Sequence, residues 1–123
     1  MNQPRQSKIT LGQRGEQIAA LQIEKKGYRI VERNFRCKLG EIDLIATDKE
    51  YLIFIEVKTR TETNSDINPL ISVTRSKQRK LKTLGTYYVA KKEMYHRQPR
   101  FDVIGIVLTN NGNHRIEHIE NAF

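Results

Sequence analysis

Apolar and polar side chains alternate most clearly in two neighbouring segments, Glu41 to Thr47 and Tyr51 to Thr59, and the pattern predicts a β-strand in each. Successive side chains of a strand point to opposite faces, so the second strand presents apolar residues on both. One face carries Leu52, Phe54, Glu56 and Lys58, and the other carries Tyr51, Ile53, Ile55 and Val57. Because a strand that is apolar on both faces is covered on both, we expect it at the centre of a sheet.

Helical periodicity precedes and follows this pair of strands. The first predicted helix begins at Leu11, with Thr10 as its N-cap and Gln13 completing a capping box, and it ends before Gly27. We expect an apolar stripe of this helix to face the core, formed by Leu11, Ile18, Leu21 and Ile23 with Ala19 and Ala20. A second helix is predicted from about Thr74 to Lys91, and its apolar positions are Leu81, Leu84 and Tyr88.

Three further segments are typical of strands and set the order of elements. They are Tyr28 to Arg36, Phe101 to Leu108 and a short edge strand near Arg115 to Ile119. The resulting order, α-β-β-β-α-β-β, predicts an α/β fold with a mixed central β-sheet flanked by helices. We expect a single domain over residues 1–123, with mobile segments at 1–9 and 61–70.

The charge balance favours a polyanionic partner. The chain has 22 lysines and arginines against 14 aspartates and glutamates, a formal net charge of +8, and neutralising phosphates releases condensed counterions. No run approaches the roughly 18–20 apolar residues of a membrane span, and the N-terminus lacks the apolar region of a secretory signal. The single cysteine, Cys37, favours a reducing compartment. We therefore expect a cytoplasmic protein with nucleic acid, not a membrane, as its partner.

Three charged side chains interrupt the two central strands and suggest a metal site. Asp43 lies in the first strand, and Glu56 and Lys58 lie two residues apart on one face of the second. A buried charge is costly unless it is paired or holds a metal, and a hairpin would bring these three together. The two carboxylates and a backbone carbonyl such as that of Val57 are oxygen ligands of the kind that Mg²⁺ or Mn²⁺ prefers. Lys58 could then orient the attacking water or stabilise the transition state of phosphodiester hydrolysis.

Two more acidic residues could join this group. Glu16 could supply a further metal ligand if the first helix packs across the strand edges, and Glu41, two residues from Asp43, could assist. Simpler interpretations stay open, because strand-end carboxylates are usually solvated and a Glu-Lys pair two residues apart is often a surface ion pair. Asp102, at the start of the fourth strand, is expected to be structural and paired with a neighbouring arginine.

The densest basic run opens the second predicted helix. It would contact phosphates without reading the base sequence, although such a run is also typical of a solvated helix face. Lys58 and Arg60 come shortly before it in the chain, which favours phosphate contact. The predicted nucleic-acid-binding residues are Arg60, Arg75, Lys77, Arg79, Lys80 and Lys82.

Several blocks of the sequence resemble the YraN-like family of small bacterial proteins. They are Gly15-Glu16, Gly27-Tyr28, Asn34-Phe35-Arg36, Gly40 to Ala46, Phe54 to Arg60 and Arg100 to Val103. The two strand motifs are also similar to the PD-(D/E)XK nuclease superfamily, with Asp43 as the first acid and Glu56-Val57-Lys58 as the E-x-K element. The resemblance implies a restriction endonuclease-like fold related to Holliday junction resolvases, and it implies that Glu16, Asp43, Glu56 and Lys58 are catalytic positions.

These observations together predict a Mg²⁺-dependent endonuclease that hydrolyses phosphodiester bonds in DNA. We expect it to select substrate shape, because nothing in the sequence is typical of a base-reading element. A domain of this size offers little surface to a branched substrate, so a homodimer is expected. Two alternatives remain open: a catalytically silent nucleic-acid-binding module of the same fold, and a basic module that binds an acidic protein.

Overall fold

A computed structural model describes residues 9–62 and 68–123 of the chain. The mobility predicted for 1–9 and 61–70 falls on residues 1–8 and 63–67 outside the described residues, and there it stays a prediction. The elements are α1 (Leu11–Lys25), β1 (Arg29–Cys37), β2 (Gly40–Asp48), β3 (Tyr51–Thr61), α2 (Arg75–Lys92), β4 (Gln98–Leu108) and β5 (His114–Ile119). A short 3₁₀ helix, Pro69–Ser72, precedes α2.

The five strands form one mixed sheet in the spatial order β1-β2-β3-β4-β5. The pairs β1–β2, β2–β3 and β4–β5 are antiparallel, whereas β3 and β4 are parallel and connected through α2. This arrangement confirms the predicted order and the central position of β3. That strand extends to Thr61, two residues beyond the predicted end, because its parallel pairing with β4 continues to Leu108.

Helix α1 packs on one face of the sheet. Thr10 caps it as predicted: the Gln13 N–H donates to Oγ1 of Thr10, and the Gln13 side chain accepts from the Thr10 N–H. At the other end, the left-handed φ of +93° at Gly27 lets the Gly27 and Tyr28 N–H groups donate to the last helical carbonyls. The buried side of the helix is formed by Gly15, Ala19, Ala20 and Ile23.

The prediction that Leu11 and Leu21 face the core is wrong. Their side chains are 44% and 60% exposed. Leu21 lies two positions from both Ala19 and Ile23, and two helical positions turn a side chain about 200° around the axis, which puts Leu21 on the solvent side. Leu11 occupies the first position of the helix. Close contact with the sheet therefore rests on small residues.

Helix α2 covers the opposite face, which confirms the prediction that β3 is buried on both sides. Ile53 and Ile55 belong to the core cluster that includes Ala19 and Ala20 of α1. Leu52 and Phe54 pack instead with residues of α2, in a cluster that contains Leu81, Leu84 and Tyr88. Within the described ranges, neither helix is long and apolar enough to cross a membrane.

The strands β1 and β2 change faces together halfway along their length. Leu44 lies in the α1-side cluster, whereas Ile42 lies with Phe35 in the α2-side cluster, although an even spacing in a regular strand would put Ile42 and Leu44 on one face. The change coincides with Asn34, whose φ of +52° is left-handed. Asn34 stands opposite Asp43, because the flanking pairs are Arg33 with Leu44 and Phe35 with Ile42. Asp43 thus lies at an irregular point of the sheet.

Candidate active site

The strand pairing between β2 and β3 stops at Leu44, the residue next to Asp43. Paired residues run from Asp48 and Tyr51 to Leu44 and Ile55. Beyond this point an Asp43 carboxylate oxygen, Oδ2, accepts a hydrogen bond from the Val57 N–H at 2.8 Å. The side chain therefore replaces a strand partner where the two strands separate, and this bond holds the carboxylate at the end of the hairpin.

The Asp43 carboxylate is in surroundings that disfavour its charge. Burial, then the charge of Glu56 and then a hydrogen bond and charge from Glu16, raise the pKa of Asp43 to about 7, although the Val57 N–H acts in the opposite direction. Both neighbours are themselves carboxylates. A cation bound among these groups would relieve their repulsion, and this favours a site for positive charge.

Glu56 is the most buried acid of this group, at 8% exposed, and two lysines neutralise it. Oε1 of Glu56 lies 3.5 Å from Nζ of Lys58 and 2.8 Å from Nζ of Lys77. The pair with Lys58 follows from their shared face of β3. The closer pair comes from α2, since Lys77 lies in its first turn and reaches across to the strand.

The pKa values of Lys58 and Lys77 are shifted in opposite directions. Burial and the nearby Lys77 lower the pKa of Lys58, and the Glu56 carboxylate only partly offsets them. Burial also disfavours the charged form of Lys77, but its hydrogen bond to Glu56 prevails and the pKa of Lys77 is raised. Lys77 is therefore the firmly charged partner of Glu56, and Lys58 is the lysine that gives up a proton more readily.

Glu16 approaches Asp43 from the other side of the sheet. It is a half-buried residue of α1 and lines a groove with Gln13 and Arg33. Glu56 projects towards α2, as Leu52 and Phe54 do. Asp43 thus stands between an acid of the α1 layer and an acid of the α2 side.

The donor set fits a hard cation that keeps part of its water shell. Asp43 and Glu56 offer carboxylate oxygens, and the Val57 carbonyl and Glu16 are the further candidates. Across residues 9–62 and 68–123, no three acidic, imidazole or thiol side chains converge into a ready-made metal site. Mg²⁺ typically binds through one or two carboxylates and retains several waters, so such a partial set is appropriate for it.

The acidic pair opens into a cleft of about 490 Å³, whose other charged lining residues are mostly basic. Lys77 and Lys80 line one wall, and Arg36 and Glu41 line another, where Nε of Arg36 lies 3.1 Å from Oε2 of Glu41. Sequence reasoning missed Arg36, which reaches the cleft because β1 is antiparallel to β2 and its end lies opposite Glu41. Glu41 lines the same cleft as Asp43 but is paired with this arginine.

The other predicted phosphate contacts do not form one surface. Arg75 and Arg79 are exposed on α2. Lys82 lines a separate groove with Phe101 and Phe123. Arg60 lies on β3 beyond Lys58, in a second pocket. The basic run is thus distributed around α2, and only its Lys77 and Lys80 line the cleft.

Asp102 has the structural role that was expected of it. It is fully buried and accepts two hydrogen bonds of 2.9 Å from the Arg100 guanidinium. It also lies 2.7 Å from Nε2 of His118 and accepts the Asn121 N–H. Although burial opposes its charge, the His118 and Arg100 hydrogen bonds hold the pKa of Asp102 below its usual value. Sequence reasoning missed His118, whose contact depends on the β4–β5 register.

Comparison with known proteins gives one consistent family. The model of a family described as Uncharacterised protein family UPF0102 matches residues 15–106. A UPF0102 protein of Caldanaerobacter subterraneus subsp. tengcongensis is 44% identical over 119 residues, 95% of this chain and 97% of its own. One of Pelobacter propionicus is 46% identical over 114 residues, 91% of this chain and 81% of its own. One of Geobacter sulfurreducens is 44% identical over 113 residues, 92% and 88% respectively.

Proposed function

The chain belongs to the UPF0102 family, the YraN-like proteins that its motifs resemble, and for it we propose a metal-dependent DNA endonuclease that selects substrate shape, as Holliday junction resolvases do. One observation carries this proposal. The largely buried Asp43 carboxylate, with its pKa raised to about 7, lies beside Glu56 in a cleft that Arg36, Lys77 and Lys80 also line.

In this proposal the acids bind Mg²⁺ or Mn²⁺ and the lysines act on the phosphate. Asp43 and Glu56 would hold the ion together with the Val57 carbonyl, and Glu16 would approach from the α1 side. When bound, the ion supplies charge neutralisation at the scissile phosphate and acidifies a coordinated water. Lys58, with its lowered pKa, would hydrogen-bond the attacking water or a phosphoryl oxygen.

In this proposal, the basic residues of the cleft walls would set which DNA substrates bind. Lys77, Lys80 and Arg36 would contact phosphates on either side of the scissile bond, and the exposed Arg75 and Arg79 would extend this contact along α2. Phosphate contacts position a nucleic acid without reading its bases. Selection would therefore depend on where the strand path bends or branches.

The decisive experiment is a cleavage panel with junction, flap, nicked and single-stranded DNA in Mg²⁺ and in Mn²⁺. Glu56→Gln and Lys58→Ala should abolish cleavage and leave DNA binding within about twofold of the parent. Glu50→Gln, at the exposed turn between β2 and β3, is the matched control and should cleave normally. Equal cleavage by Glu56→Gln and the parent would overturn the assignment of this site.

A second candidate, the catalytically silent nucleic-acid-binding module, is favoured by one contact. Nζ of Lys77, 2.8 Å from Oε1 of Glu56, already supplies the positive charge that a metal would bring. Such a module would bind DNA with an affinity that falls steeply with salt, and it would cleave no substrate with any metal. The same panel distinguishes the two functions.

We also propose that the protein acts in the cytoplasm, as its single cysteine indicates, and as a homodimer on a branched substrate. Two copies would present two cleavage sites to a junction with two equivalent strands. Analytical ultracentrifugation with and without a junction tests this: a complex that contains one copy per junction would contradict the dimer.

A further inference from the structure

A second pocket lies beyond the active-site end of β3, on the α2 side of the sheet. It has a volume of about 240 Å³ and spans β3, β4 and β5. Strand pairing explains its walls. Lys58 of β3 pairs with Gly105 of β4, which pairs with Glu117 of β5. Two residues further along β3, Arg60 pairs with Val107, which pairs with Arg115. These side chains share a face, because residues two apart in a strand point the same way.

The absence of a side chain at Gly105 shapes the floor of this pocket. A Cβ at that position would come within 2.8 Å of Cβ of Pro69, so the proline ring of the 3₁₀ helix packs directly on the strand. Lys58 and Arg60 are then on one side of the floor, and Arg115 and Glu117 on the other. The pocket is therefore a gap between two walls.

The charges of the pocket are not balanced within it. Lys58, Arg60 and Arg115 contribute three positive charges against the single negative charge of Glu117. Nε of Arg60 is buried and has no hydrogen-bond acceptor in the described part of the chain. A buried donor without an acceptor is unfavourable, and the planar guanidinium matches the paired oxygens of a phosphate or carboxylate.

Lys58 connects this pocket to the active site. Its ammonium lies 3.5 Å from Oε1 of Glu56, and the same side chain lines the pocket. An anion held between Arg60 and Arg115 would therefore lie next to an anion that Lys58 contacts in the active site, beside Glu56. In a nucleic acid strand, the neighbour of one phosphate is another phosphate.

We propose that the pocket bounded by Lys58, Arg60, Gly105 and Arg115 is a phosphate subsite. It takes the phosphate adjacent to the scissile one, and this placement rests on the proposed function. The phosphate would accept hydrogen bonds from the guanidinium groups of Arg60 and Arg115. The carboxylate of Glu117 reduces the net positive charge of the pocket. The pocket would therefore hold one phosphate group and would not attract further anions.

Binding of inorganic phosphate tests the subsite without any cleavage. The probe is a phosphate titration of the metal-free protein, followed through the backbone amide NMR signals of Gly105 and Ile116. Arg115→Gln should weaken binding about tenfold, as expected for the loss of one charge-assisted contact. Glu117→Gln should tighten it. Arg29→Gln, which removes an exposed arginine at the far edge strand, should leave it unchanged.

The substitutions at Arg115 and Glu117 are expected to leave the fold unchanged, so their effects on binding can be read directly. Arg115 and Glu117 are exposed residues of an edge strand, so their substitution leaves the core intact. Arg60→Gln should lose binding as well, and the surface variants decide the question if it fails to fold. Signal changes outside the pocket, or equal weakening by Arg115→Gln and Arg29→Gln, would overturn the subsite.

Two sources of phosphate are distinguished with short single-stranded oligonucleotides. If the pocket holds an internal phosphodiester, Arg115→Gln will weaken oligonucleotides with a 5′-phosphate and a 5′-hydroxyl equally. If it holds a terminal phosphate, only the phosphorylated strand will be affected, and the internal placement is overturned. Phosphate binding in a protein that cleaves nothing would refute the proposed nuclease and retain the pocket. Cleavage by a protein that binds no phosphate there would do the reverse.

Discussion

Gly15 of α1 packs against Thr59 of β3 so closely that a Cβ at position 15 would come within 2.8 Å of Cβ of Thr59. A helix with any larger residue at position 15 could not lie this close to the strand. This close packing places the next residue, Glu16, close enough to Asp43 to help raise the pKa of that carboxyl group. The spacing between α1 and the sheet therefore decides whether the α1-side acid belongs to the site.

We expect Gly15→Ala to destabilise the protein by roughly 1–3 kcal/mol, because the added methyl group forces α1 away from β3. Urea unfolding followed by circular dichroism measures this. Gly12→Ala is the matched control: a Cβ there meets nothing within 4 Å, and alanine in a helix is favoured over glycine by roughly 0.5–1 kcal/mol. A Gly15→Ala protein as stable as the Gly12→Ala protein would show that this contact does not set the helix position.

We expect Asp43→Asn to stabilise the protein at pH 8 by up to about 4 kcal/mol and to have little effect at pH 4. The folded pKa of about 7 exceeds the ordinary value of 3.8, so between these values the native state binds more protons than the unfolded state. Stability due to this group is therefore lost as the pH rises through that window.

Urea denaturation across pH 4 to 8 checks the prediction, with Glu41→Gln as an exposed control. Added Mg²⁺ should reduce the gain at pH 8 if the site binds the ion, because binding stabilises only the parent's native state. A gain that does not change with pH would refute the assigned cause of the shift.

We expect Lys77→Ala to strengthen Mn²⁺ binding several-fold at pH 8. The ammonium of Lys77, 2.8 Å from Glu56, competes with a cation for the same carboxylate oxygen. Isothermal titration calorimetry or the Mn²⁺ electron paramagnetic resonance signal gives the affinity. Lys80→Ala removes an exposed lysine of the same cleft and controls for net charge. An equal change in both variants, or weaker binding by Lys77→Ala, would show that Glu56 is not a metal ligand.

We expect Asp102→Asn to cost roughly 3–5 kcal/mol, because it leaves the buried Arg100 guanidinium without its counter-charge. The lowered pKa of Asp102 means that its contribution is present above the ordinary value of 3.8 and is lost as the pH falls through the folded pKa. The difference between the two proteins in urea should therefore shrink in acid. Glu120→Gln, which breaks an exposed ion pair with Lys26, should cost less than about 1 kcal/mol.

The sequence predicted those features that depend on neighbours along the chain. The period of two in Tyr51 to Thr59 identified a strand with two buried faces, and the Thr10 and Gly27 signals bounded α1. The meeting of Asp43 with Glu56 also followed, since a short turn joins their strands. In α1, however, the apolar pattern misled at two positions: Leu11 and Leu21 are solvent-exposed, and Gly15 joins the two alanines and Ile23 on the buried side.

Contacts between distant segments were not predictable in the same way. The contact of Lys77 with Glu56 depends on how α2 crosses the sheet, and the grouping of Arg60 with Arg115 depends on two strand registers. Each of these requires the position of an element that one sequence does not specify locally. The change of faces at Asn34 and Asp43 was not predictable either, because the hydrophobic pattern does not reveal a left-handed residue within a strand.

The parallel pairing of β3 with β4 has a consequence for the order of assembly. Strands β1, β2 and β3 follow one another through two tight turns, whereas β4 can join β3 only after residues 62–97 have closed a long loop. Local pairings form sooner than distant ones, because closing a longer loop costs more entropy. We therefore expect Asp43 and Glu56 to come together early in the first hairpins, where only Lys58 of the same strand offsets their repulsion until α2 brings Lys77.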